Sequence, residues 1–127
     1  MNIPQNLLYT KDHEWVRIDG DVVVVGITDF AQGELGDVVF VQLPEVGAKI
    51  PQGQTLGTIE AVKAVADIYS PLSGEIMAVN ADLNDKPELM NKDCYGAGWV
   101  AKIKASNLAA EKSSLLDPAA YTNLTSA

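Results

Sequence analysis

Gly57-Thr58-Ile59-Glu60-Ala61-Val62-Lys63-Ala64-Val65-Ala66-Asp67-Ile68-Tyr69-Ser70-Pro71 is the stretch that decides the fold. Two runs rich in Val and Ile, bounded by Gly57 on one side and Ser70-Pro71 on the other, read as short strands. Lys63 falls at the crossover, so the pair predicts a hairpin with one amine at its tip. Another protein can reach a lysine there from several sides, whereas neighbours screen a lysine on a strand face. The ordinary role of a lone surface lysine is to keep a β edge soluble. Here the lysine stands apart from other bases, framed by small and apolar residues with Glu60 behind and Asp67 ahead, in a chain of only 9 basic residues. That context suits a modification enzyme or a tethered group.

Outward from the hairpin, glycines and prolines punctuate the first hundred residues at short intervals. Between them Trp15–Ile18, Val22–Ile27, Val38–Leu43, Leu56–Ala61, Val65–Tyr69, Glu75–Val79 and Trp99–Lys104 read as strands. Asp19-Gly20 is a two-residue hairpin signal between the first two. Thr28 or Asp29 caps a short helix over Phe30–Leu35, which Gly36 ends. Ser106 or Asn107 caps a second over Leu108–Leu116, with Leu108, Leu115 and Leu116 on one side, and Pro118 breaks it. A loose echo relates Gly36-Asp37-Val38 to Gly74-Glu75-Ile76, and Gly57-Thr58-Ile59 to Gly98-Trp99-Val100. Two such units folding about a pseudo-twofold axis make a flattened sandwich. The expected fold is mainly β, with helices as additions.

The chain has 127 residues, 47% of them hydrophobic, which suits a single domain able to bury a core without a metal or disulfides. Its 17 acidic against 9 basic residues leave a net charge of -8. That balance argues against nucleic acid and against anionic membrane surfaces, both of which need clustered Lys or Arg. Cys94 is the one cysteine and His13 the one histidine, so one chain can build neither a disulfide nor a Cys/His zinc site. Separation in sequence leaves a Cys94–His13 nucleophile pair open, but only Lys92 near Cys94 would lower its thiol pKa, and a structural thiol is the reading. His13, beside Trp15, reads as a packing residue with partner contact open. Gly33-Glu34-Leu35-Gly36 lacks the lysine and spacing of a phosphate loop and reads as a helix-ending turn. The segment from Met1 to Asn6 has neither a charged region before an apolar run nor an Arg-rich stretch. A cytoplasmic bacterial protein is the expectation, and a processed organellar one would look the same.

Several blocks together resemble the H protein of the glycine cleavage system, a lipoyl-carrying module. They are Tyr9-Thr10-Lys11-Asp12-His13-Glu14-Trp15-Val16-Arg17, Val25-Gly26-Ile27-Thr28-Asp29-Phe30-Ala31-Gln32, Leu35 to Val41, Tyr69-Ser70-Pro71 with Ser73-Gly74-Glu75, and Tyr95-Gly96 with Gly98-Trp99. They span from about Leu7 to the carboxyl-terminal helix. Biotin carriers typically flank the lysine with methionines, and lipoyl domains of 2-oxoacid dehydrogenases place Asp before it and Ala after. The H protein pattern is Glu-Ser-Val-Lys-Ala, matched here by Glu60, Val62, Lys63 and Ala64. Ala61 departs from it by a lost hydroxyl, and Cys94 stands where a proline or small residue is usual.

The resemblance implies a flattened β-barrel/sandwich hybrid, lipoyl-domain-like, with a short internal helix and a carboxyl-terminal helix. One lipoyl-carrier domain would cover residues 1–127, its β core about 7–104 and its helical segment about 107–124. Lys63 would carry lipoate in amide linkage, and the chain would be a carrier and not an enzyme. It would take the aminomethyl group of decarboxylated glycine from the pyridoxal-phosphate-dependent P protein to the tetrahydrofolate-dependent T protein. It would then present dihydrolipoyl to the flavoprotein L protein, dihydrolipoyl dehydrogenase, with NAD as final acceptor. A lipoate ligase or a lipoyl/octanoyl transferase would attach the arm. The cargo is an ammonium at neutral pH and its thioether hydrolyses in water, so carboxylates lining a cleft would shelter it. The resemblance assigns that docking to Glu14 and Asp67, with Asp12 beside them. An H-like protein that relays lipoyl groups to other enzymes is the alternative within the carrier class, and a scaffold domain with unmodified Lys63 the alternative outside it. An independent enzyme lacks a convincing nucleophile, acid–base pair or metal cluster.

Overall fold

A computed structural model describes residues 2–126. Two antiparallel sheets carry the fold. The larger orders its strands β1 (Leu8–Tyr9), β2 (Glu14–Asp19), β3 (Val22–Ile27), β9 (Ala101–Ala105), β8 (Gly74–Val79) and β5 (Lys49–Ile50). The smaller orders β4 (Val38–Gln42), β6 (Thr55–Ala61) and β7 (Val65–Tyr69). The mainly β reading therefore holds, and its sandwich half describes the result, since the two sheets stay separate and do not close into a barrel.

Strand alternation explains the layers. Val16, Val23, Val25, Ile76 and Ile103 of the larger sheet meet Val41, Leu56, Ile59 and Ile68 of the smaller one in the main core. Trp15 and Val24 fall on the opposite face, where Leu7, Tyr9 and Tyr121 cover them in a second cluster. With both faces roofed, β3 reads as a nearly continuous buried run and not as an alternating one. Trp15 is fully buried, donates its indole N–H to the Cys94 carbonyl at 2.8 Å, and lies directly across from Gly26. A Cβ on Gly26 would come within 2.6 Å of the indole ring. Gly26→Ala is therefore expected to destabilise the fold by about 2 kcal/mol through overpacking. Urea unfolding measures it, and a change under about 0.5 kcal/mol, the range of an ordinary surface substitution, would show that the indole moves aside freely.

The β2–β3 turn sits one residue later than its sequence signal. Asp19 pairs with Val22, so Gly20 and Asp21 are the central residues, and Gly20 supplies the positive φ of 66°. Helix α1 (Asp29–Leu35) is capped by Thr28, whose hydroxyl accepts from the Ala31 N–H at 3.2 Å, and ends at Gly36 with φ 75°. Four further pieces were not anticipated in detail. Two single-turn helices, α2 (Asp82–Asp85) and α3 (Leu89–Lys92), bury Leu83 and Met90. The two-residue strands β1 and β5 exist only because neighbours pair with them.

The carboxyl-terminal region corrects the single helix expected over Leu108–Leu116. Helix α4 covers only Leu108–Glu111, followed by a 3-10 turn at Lys112–Ser114. Ser113 and Ser114 donate to the Ala110 and Glu111 carbonyls, which competes with helix propagation. Leu116 then exchanges backbone hydrogen bonds with Tyr9 at 2.7 and 2.8 Å. Pro118, read as a breaker, starts α5 (Pro118–Ser126) instead. At the first helical position its missing N–H costs nothing, and the Asp117 carboxylate accepts from Ala120 at 2.8 Å as a cap.

The internal echo has a structural counterpart. Its first half lies in the β4–β6 pair and Gly74-Glu75-Ile76 opens β8, whereas Gly98-Trp99-Val100 precedes β9; the β4–β6 and β8–β9 pairs each carry a register shift, between Val38 and Phe40 in one and between Ile76 and Ala78 in the other. Both shifts fall at the second to fourth residue after the glycine that opens each echo.

Candidate functional site

Strands β6 and β7 form the hairpin read from the sequence. Glu60 pairs with Val65, and the Ala61 N–H donates to the Ala64 carbonyl at 2.9 Å, which leaves Val62 and Lys63 at the tip. The tip is not free to swing. Val62 N–H donates to the Asp37 carbonyl at 3.0 Å and Lys63 N–H to the Leu35 carbonyl at 3.1 Å, docking the turn on the chain leaving α1. That chain is fixed in turn by Asn91 of α3, whose amide donates to the Gly36 carbonyl at 2.8 Å and accepts from Val38 N–H at 2.8 Å. The Lys63 stem runs over Gly36, where a Cβ would lie 3.2 Å from its Cγ. Lys63, Val62, Ala64 and Glu60 are all exposed.

Beside this platform lies a cleft of about 160 Å³ between α1, the amino-terminal end of β2 and β7. Ile27, Phe30, Leu35, Ile59 and Ile68 supply its apolar surface, and Asp12, Glu14, Glu34 and Asp67 bring carboxylates to it. The structure thus brings the three sequence-assigned acids together. Asp12 and Asp67 are exposed; Thr58 donates its hydroxyl to Asp67 at 3.3 Å. Glu14 is different, at only 2% exposed. It shares the inner face of β2 with Val16, accepts from the Thr10 hydroxyl at 2.5 Å and from the Tyr69 N–H at 3.3 Å, and also borders a second cavity of about 380 Å³. Burial pushes its carboxyl up to about 7, against the two hydrogen bonds, which favour the ionised form.

Glu34, Thr10 and Tyr69 were not singled out from the sequence. Glu34 had a usable signal, because Phe30, Ala31, Glu34 and Leu35 recur at helical spacing and so share one face of α1. Asn91 had none, since its role is decided by contacts with residues more than fifty positions away.

His13 holds a positive φ of 70°, packs against Phe30 with ring centroids 4.5 Å apart and the rings tilted by 32°, and places Nδ1 2.8 Å from the Tyr121 hydroxyl, itself 2.7 Å from the Thr28 hydroxyl. It ties α5 to the start of α1, as a packing residue does. Burial, the largest influence, lowers its pKa, which Asp12 and Glu34 partly oppose. Cys94 is buried and its thiol is pushed up to about 12, chiefly by burial, so it is inert as a nucleophile. A larger open groove of about 530 Å³ lies at the Lys49, Gly74 and Lys104 end and shares no residue with the cleft. Among the described residues no His/Cys/Asp/Glu cluster could hold a metal ion, and no helix is long and apolar enough to cross a membrane. What this end of the molecule offers is an accessible amine on a rigid turn, next to a pocket suited to an alkyl chain that ends in a cation.

A family model described as "Glycine cleavage H-protein" matches residues 7–127. Among curated relatives, the glycine cleavage system H protein of Bacteroides thetaiotaomicron is 53% identical over 121 residues, covering 95% of each chain. That of Rubrobacter xylanophilus is 56% identical over 119 residues, 94% of this chain and 91% of its own. The crystal structure of a glycine cleavage system H protein from Mycobacterium marinum superposes with a TM-score of 0.90 at 40% identity, over 98% of this chain and 100% of its own. Agreement over nearly the whole length, in sequence and in the path of both sheets, extends well beyond the lysine hairpin, and the chain belongs to the glycine cleavage H-protein family.

Proposed function

We propose that this chain is the lipoyl-bearing shuttle of the glycine cleavage system, with lipoate in amide linkage on Lys63. Its family is the carrier component of that system and not a catalyst of it. The observation that carries the reading is an exposed amine at an anchored hairpin tip, beside an apolar cleft edged by carboxylates. The residues fit the group: Gly36 leaves room for the stem of Lys63, the isoleucines and Phe30 suit an alkyl chain, and the acids suit an amine. When bound, lipoate supplies a dithiolane that accepts the aminomethyl fragment of glycine together with two electrons.

The chain's own residues hold and release that cargo. Lys63 supplies the tether, and the hydrogen bonds at Val62 and Lys63 give it a fixed origin. Glu14, Asp67 and Asp12, joined by Glu34, hold the ammonium through charge-assisted hydrogen bonds. The apolar lining of Ile27, Phe30, Leu35, Ile59 and Ile68 would exclude water from what the tether brings into the cleft. The partners in this reading are the P, T and L proteins, with a lipoate ligase or a lipoyl/octanoyl transferase attaching the arm. Its place is the bacterial cytoplasm, in keeping with the bacterial relatives.

Reconstitution tests the reading. Acylated chain, glycine, tetrahydrofolate, NAD and purified P, T and L proteins should give NADH at a rate proportional to added chain, with none from unacylated chain. Absence of glycine-dependent NADH, combined with transfer of the lipoyl group to a 2-oxoacid dehydrogenase domain, would favour the relay alternative and end the shuttle reading.

A further inference from the structure

The outer face of the smaller sheet is unusually apolar near Lys63. Eight large hydrophobic residues are exposed among the described residues, and four of them, Val39, Phe40, Val62 and Val65, gather at this one hairpin end. The register shows their contiguity. Phe40, Glu60 and Val65 form one cross-strand row over β4, β6 and β7, and Val62 bonds to Asp37 at the start of β4. A bulge creates the patch: Val38 pairs with Ala61 and Phe40 with the adjacent Glu60, so Val39 is an extra residue. Regular alternation would bury Phe40 along with Val38. The bulge turns Val39 and Phe40 out together, 57% and 51% exposed, on an edge strand, where exposed apolar residues invite association.

We propose that this face, centred on Val39 and Phe40 with Val62 and Val65, is the docking surface for the enzyme that acylates Lys63. That enzyme would present an activated carboxyl group, an acyl adenylate or acyl thioester, from an apolar recess with a basic rim. The inference rests on the reading of Lys63 as the acyl acceptor. Reach selects this occupant. A partner that works on the far end of a finished arm can stand off from the sheet, but one that must meet the lysine nitrogen itself has to close over the tip and its surroundings. Charge agrees. Asp37, Glu60 and Asp67 are exposed around the patch, with Lys63 at its tip, in a chain of net charge -8. In the step served, the Lys63 nitrogen bonds to the carbonyl carbon, the bond from that carbon to the phosphate or thiol breaks, the leaving group departs with its electron pair, and the amine loses a proton.

The test compares the parent chain, the double variant Val39→Thr/Phe40→Thr and a control, Met77→Thr, which alters an exposed apolar residue of the other sheet. Threonine keeps strand propensity, and unchanged thermal midpoints verify folding. Each is acylated with purified lipoate–protein ligase, lipoate and ATP, and the product is followed by intact mass. The double variant should show KM raised about tenfold or more with kcat within about twofold, as loss of central apolar anchors does, and Met77→Thr should match the parent. The same loss should appear in the Kd of ligase for chains carrying Lys63→Arg, where no chemistry occurs. Equal KM in all three chains overturns the proposal. Concentration-dependent association of the parent, abolished in the double variant with acylation unchanged, assigns the face to a second copy and overturns it. Unchanged acylation with slowed NAD reduction assigns it to the dehydrogenase and also overturns it. No acylation of the parent chain removes the reading of Lys63 itself.

Discussion

Lys63→Arg will fold like the parent, gain no mass when incubated with lipoate, ATP and the attaching enzyme, and support no glycine-dependent NADH formation above the rate without added chain. The substitution keeps the positive charge and most of the stem, and the residue is exposed, so stability should move by no more than about 0.5 kcal/mol. The backbone bonds that anchor the tip, from Val62 and Lys63 to Asp37 and Leu35, do not involve the side chain. What is lost is nucleophilicity. A guanidinium does not deprotonate in proteins and offers no nitrogen lone pair for an amide, whereas an amine does after losing one proton. Intact mass and the reconstituted assay check both halves. Acylation of the arginine chain to the parent's extent would show that the acceptor lies elsewhere.

Glu14→Gln will change how stability depends on pH. Burial raises the folded carboxyl to about 7 from an ordinary 4.5. Between those values the folded chain holds a proton that the unfolded chain has released, so the parent loses stability as pH rises across that window and levels off above it. Raising the pKa by that much corresponds to about 3 kcal/mol. Glutamine cannot ionise, so the variant should lack this decline, and the stability difference between the two chains should shift by about 3 kcal/mol in the variant's favour from pH 4.5 to pH 8. Urea unfolding at several pH values measures it; parallel curves would mean that Glu14 titrates normally. The cost has a functional counterpart. A carboxyl destabilised by burial gains most from an incoming ammonium, so Glu14→Gln should also shorten the lifetime of loaded cargo in the absence of T protein. Thr10 and the Tyr69 N–H, which already bond the ionised form, keep the carboxyl aimed within the cleft.

Much of the scaffold was legible because its signals are local. Thr28 and Gly36 mark the two ends of α1, and the strand runs of the first hundred residues recur in the sheets with shifts of a residue or so. Pro118 shows the limit of local reading, since the same residue ends one helix or begins another according to whether the chain before it is already bonded elsewhere. Here Leu116 is held by Tyr9, and Pro118 begins α5. Glu14 shows the limit for charge. Acidic residues of an acidic chain are ordinarily solvated, which describes Asp12 and Asp67 but not a carboxyl on the inner face of β2.

By itself the sequence determined a mainly β chain, a hairpin with one amine at its tip, and a set of motifs that resemble one carrier family. These follow from period-two patterning, turn residues and short motifs, all read within a few positions of one another. Only the tertiary structure decided that the tip is bolted to the end of α1, that Glu14 is buried while Asp12 and Asp67 stay wet, that Glu34 joins them, and that a bulge turns Val39 and Phe40 outward beside Lys63. The burial of Glu14 and the outward turn of Val39 and Phe40 depend on which distant strands pair and in what register, since a shift of one residue would send a strand's side chains to the other face, while the anchored tip and Glu34 depend on where α1 packs against the sheets.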